Sequence, residues 1–83
     1  MNDQDIESAI RKIETAQRGT RHNTAYNEAK RLFRDMTEDE IAAVAPRLVR
    51  AATKTGINLH QATKEIAAAY IRRHSDNERP IAG

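Results

Sequence analysis

Apolar residues recur along this chain at the spacing of an α-helix, and no stretch alternates with the period of two that marks a half-buried strand. Ile6, Ile10 and Ile13 fall at i, i+4 and i+7, with Ala9 and Ala16 widening the same stripe. A first helix is therefore expected from Asp3 to Gln17, its apolar side turned to a core. Asp3 is placed to cap it, and Gly19 stands where a left-handed residue closes a helix. The polar run from Arg18 to Thr24 reads as a basic loop. A second helix is expected to start after Asn23 or Thr24 and to bury Ala25, Ala29, Leu32, Phe33 and Met36.

The sharpest local signal is Thr37-Glu38-Asp39-Glu40. Thr37 can accept from a free amide of the next helix while Glu40 reaches back to the Thr37 N–H, which is a capping box. From Ile41 to Ala52, nine of twelve residues are apolar, so this third helix is expected to be the central one. Pro46 interrupts it. Proline lacks the N–H and crowds the carbonyl four residues back, so a kink is expected there, or a split into 38–44 and 46–54. Gly56 ends the helix. Asn58, with Gln61 three residues on, predicts a second capping box and a fourth helix. Its stripe is Leu59, Ala62, Ile66, Ala69 and Tyr70. Ala67, Ala68 and Ile71 lie well off that stripe; a helix apolar on two sides is either central or keeps one side for a partner.

These elements define an all-α chain, a small four-helix bundle or orthogonal array with its third helix kinked or split at Pro46. Residues 1–75 form one domain and 76–83 a flexible C-terminal tail. Composition adds that the core is thin. Leu, Ile, Val and Phe number 14 of 83 residues, and alanine alone contributes another 14. Alanine favours helix and lets helices approach closely, but it buries little apolar area. Small domains of this kind often rely on a partner or a second copy. The absence of cysteine excludes disulfides and thiolate chemistry. The polar, acidic start is unlike a secretory leader and no run is long enough to span a membrane, so a soluble cytoplasmic protein is expected.

Charge is unevenly placed. Residues 1–40 carry nine acids and seven bases, whereas residues 41–75 carry six bases and one acid. This asymmetry suggests that the second half meets something negative. Much of it also matches helix dipoles, with acids at helix starts and bases at helix ends.

Candidate chemistry is sparse. Ala52, Gly56, Ile57 and Ala62 fit the small residue, turn glycine and apolar contacts of a helix-turn-helix. The next contact in that motif falls at Glu65, yet the apolar residue is Ile66, a rotation of about 100°. The basic residues Arg47, Arg50, Lys54, Arg72 and Arg73, with His60, Gln61 and Lys64 on the fourth helix, are the ones available to a nucleic acid. Arg18, Arg21 and His22, beside a helix N-terminus, form a candidate anion site. His22, His60 and His74 lack metal-ligand spacing, and no catalytic motif occurs, so neither metal, cofactor nor small-molecule substrate is expected and an enzyme is not. Two function classes remain. One is a non-catalytic protein-binding module of the inhibitor, adaptor or regulator type, which contacts an acidic partner or itself as a homodimer through Lys64, Ala67, Ala68, Ile71 and Arg72. The other is a nucleic-acid-binding regulator with a degenerate helix-turn-helix at 47–66. No aromatic residue stands within the basic positions to stack on bases, which favours the first.

Overall fold

The computed structural model describes residues 3–74. The proposed tail, 76–83, lies outside the described residues. Four helices follow one another: α1 (Asp3–Glu14), α2 (Arg21–Arg34), α3 (Glu38–Thr53) and α4 (Leu59–Ile71). No strand occurs among the described residues, and the chain is all-α as the periodicity requires.

The helices do not form a ring of four sequential neighbours. α1 packs on α2 and α3, α4 packs on the same two, and α1 and α4 do not touch. The centre is therefore shared by α2 and α3 rather than held by α3 alone. Glu7 pairs with Arg47 and Glu14 with Lys54, so α1 and α3 run in the same direction. α3 and α4 run oppositely, since Tyr70, near the end of α4, bonds Glu38 at the start of α3. Ile6, Ala9, Ile13, Ala25, Ala29, Leu32, Phe33, Leu48, Ala52, Ala62, Ile66 and Ala69 meet in one core. Ala9, Ala25, Ala29, Ala52, Ala62 and Ala69 are fully enclosed, so close helix approach replaces large side chains.

Local chemistry sets most boundaries. At α3 the capping box is complete: the Glu40 amide donates to Thr37 Oγ1 at 3.2 Å, and the Thr37 amide donates to Glu40 Oε1 at 2.8 Å. At α4 the Gln61 amide donates to Asn58 Oδ1 at 2.8 Å, the forward half of the expected box. Gly56 takes φ +102°, which strains any side chain there, and an added Cβ would crowd Arg21 Nη1 at 3.0 Å.

Other expectations are corrected. α1 stops at Glu14, short of Gln17: the Thr15 amide makes the last i→i−4 bond, to the Arg11 carbonyl at 3.0 Å, and the Ala16 amide turns to Ile13, three residues back, at 3.3 Å. Gly19 is not left-handed, and Asp3 lies inside the first turn of α1 rather than before it. α2 begins at Arg21, ahead of Asn23, although Thr20 offers no side-chain cap. A tertiary contact compensates: Arg21 Nη1 donates to the Thr55 carbonyl at 2.8 Å, which ties the first turn of α2 to the α3–α4 loop. α3 passes through Pro46 without splitting. Pro46 and Ala42 are both exposed, so the carbonyl that loses its donor faces water. Leu59 is 64% exposed and leaves the α4 stripe; Ile57, just before the helix, is buried instead.

Candidate interaction surface on helices 3 and 4

The predicted basic residues do not gather on one face. Arg47 and Lys54 turn toward α1, reaching Glu7 at 3.4 Å and Glu14 at 3.2 Å. Arg73 turns back over Tyr70, its guanidinium 4.1 Å from the ring centre, and reaches Glu38 at 3.1 Å. Lys64 and Arg72 line a cleft between α4 and α2, together with His22, Gln61 and Ala68. Arg50 points outward from α3, and Arg18 and His60 are exposed elsewhere. Three of the six bases of the second half, Arg47, Lys54 and Arg73, thus meet acids of the first within the fold, so the asymmetry along the chain is partly offset by pairing.

The candidate anion site is likewise engaged. Arg21 is partly buried and bonds Thr55, while His22 Nδ1 contacts Glu65 Oε2 and links α2 to α4. Arg21 Nε and Glu65 Oε1 are buried without a hydrogen-bond partner. At the helix-turn-helix positions, Ala52, Ile57 and Ala62 are buried and Gly56 takes a positive φ. Ile66 is buried and Glu65 reaches His22. The side of α4 opposite the core carries His60, Lys64, Ala67 and Ile71, a set with more apolar surface than base-reading capacity.

One surface was only half legible from the sequence. Between α3 and α4 runs an open trough of about 360 Å³, with Phe33 and Ile66 at its floor. Ile41, Ala42, Ala45, Pro46 and Val49 form one wall; Thr63, Ala67 and Tyr70 form the other. A second hollow continues it past Val49 and Thr53 to Leu59. Of the predicted partner-binding residues, Ala67 belongs to this trough, Lys64, Ala68 and Arg72 belong to the cleft on the far side of α4, and Ile71 stands 73% exposed between them. The signal for the trough lay in α3, which has more apolar positions than one buried stripe uses.

Among the described residues the only clear ionisation shift is that of Tyr70. Its O–H donates to Glu38 at 2.8 Å, and this bond, then burial, then the carboxylate charge, hold the phenol above its ordinary value of 10.0. No group of His, Asp and Glu side chains gathers for a metal among the described residues, and no helix there is long and apolar enough to cross a membrane. Comparisons with models of known families, with curated proteins and with solved structures give no match to this chain.

Proposed function

We propose that this chain is a non-catalytic protein-binding module of the inhibitor, adaptor or regulator type, and that its partner sits on the α3–α4 face. The observation that carries this reading is the apolar trough with Leu59 exposed at its end. Apolar groups gathered in one groove, rather than scattered singly, are what a partner can cover with a gain in free energy. Ala42, Ala45, Pro46, Thr63 and Ala67 along its walls have small or ring-fixed side chains, so a ridge of a partner can seat against them with little loss of side-chain freedom. The nucleic-acid reading has less support, because the bases that it needs are paired with acids or spread over several faces.

A photo-cross-linking residue at Thr63, in the trough, tests this in the cell. A discrete adduct is expected there and none from Lys12, on the exposed side of α1. No adduct at Thr63, or equal labelling from both positions, would sink the reading. Duplex DNA retained at ~50 mM salt, with affinity falling log-linearly as salt rises, would favour the nucleic-acid reading instead.

A further inference from the structure

Two occupants suit the trough, an acidic partner or a second copy of the chain. The charges around it separate them. An acidic partner requires an excess of positive charge beside the trough, yet Arg47 and Lys54 are committed to α1 and Arg73 to Glu38. Lys64 is exposed on α4 but lines the cleft toward α2 rather than the trough, and what remains on the outward row of α3 is one acid and one base. Asp39, Ala43, Pro46 and Arg50 follow each other at helical spacing, and all four are exposed. Neither Asp39 nor Arg50 has an ion-pair partner among the described residues.

We infer that the occupant is a second copy of this chain, docked with the two α3 helices antiparallel about a two-fold axis. The proposal rests on the α3–α4 face being the contact surface, and it names the partner. An isologous interface must be complementary to itself under the two-fold rotation. The outward row of α3 meets that condition in one register. Asp39 of each copy faces Arg50 of the other, and Ala43 faces Pro46, so the row matches itself when reversed. The two ion pairs stand about 16 Å apart at 1.5 Å per residue, with small residues between them that let the helices approach. The same rotation carries Leu59 of the second copy toward the Ala42–Ala67 end of the trough, where apolar surface is open. Size is adequate as well. A stable interface covers ~800 Å² per partner, about 15% of the 5333 Å² surface of this chain, which one broad face supplies.

Sedimentation of the full chain, from ~10 µM to ~500 µM, provides the test, because interfaces of this size have Kd values from the micromolar range down. The expected result is a species of twice 9.4 kDa. Asp39→Arg and Arg50→Asp each weaken it by at least ~10-fold, and the double reversal restores it, because the pair is rebuilt with its signs exchanged. Leu59→Glu weakens it independently. All of these positions are exposed, and circular dichroism confirms that each variant remains folded. A monomer at every concentration overturns the proposal; so does a dimer indifferent to the single reversals and to Leu59→Glu. Cross-linking from Thr63 distinguishes the two levels. A monomer that still gives a discrete adduct with a different protein removes the second copy and leaves the α3–α4 contact surface standing. A monomer that gives no adduct removes both.

Discussion

α3 has two flanks, built in opposite ways. Toward α1 it sends Arg47 and Lys54, two turns apart, onto Glu7 and Glu14, which have the same spacing on α1. Toward α4 it presents Ile41, Ala45, Pro46 and Val49, and the ion pair on that side closes only the end, where Arg73 meets Glu38. The first flank is charged and satisfied within the chain. The second is apolar and left open. Formal charge along a sequence is thus a poor guide to the charge a face presents, because folding can set opposite charges against each other. The apolar residues of the second flank are left uncovered among the described residues.

The floor of the open flank and its edge should respond very differently to substitution. Phe33 is fully enclosed beneath the trough. Phe33→Ala is expected to cost ~3–5 kcal/mol, a large share of the ~5–15 kcal/mol that holds a domain folded. Leu59→Glu, at the exposed end, should change stability by no more than ~0.5 kcal/mol. Urea unfolding followed by circular dichroism gives both values; equal losses would mean that the flank is closed.

A smaller effect is expected on the charged flank. Glu7→Gln and Glu14→Gln should each cost ~0.2–1 kcal/mol, as exposed pairs do. The difference should shrink as salt approaches ~1 M, where charges are screened within about 3 Å. A loss that ignores salt would show that these side chains act through packing instead.

The smallest effect sharpens the closed end of the trough. Because Glu38 accepts the Tyr70 O–H, the folded state favours the neutral phenol and raises its pKa above 10.0. The sign follows: the stabilisation is fully present below the unfolded value and is lost as pH rises through the folded one. In a Tyr26→Phe background, phenolate absorbance reports Tyr70 alone, and Glu38→Gln should move its midpoint down. An unmoved midpoint would remove Glu38 as the cause.

Much of the fold is legible in the amino-acid sequence. Thr37 with Glu40, Asn58 and Gly56 announce where α3 and α4 begin and end, because caps and positive φ depend on residues only a few positions apart. The start of α2 at Arg21 is not legible in the same way, since the contact that holds its first turn comes from Thr55, far along the chain. Leu59 departs from its expected stripe because periodicity gives its direction on the helix but does not say what packs there. The candidate site is half legible. Ala67 and Ile71 mark α4 as apolar on a second side, but the opposite wall of the trough, Ala42 to Val49, reads as core.

The class of fold, the four helices and the inward faces of α1 and α2 follow from local propensity and from burying one stripe per helix. Which charges pair, which of α3's apolar residues stay in water, and the separation of α1 from α4 come from packing. Those outcomes depend on how helices far apart in sequence are set beside one another. In a chain so rich in alanine, many residues are apolar enough for the core and small enough for the surface, and packing alone assigns them.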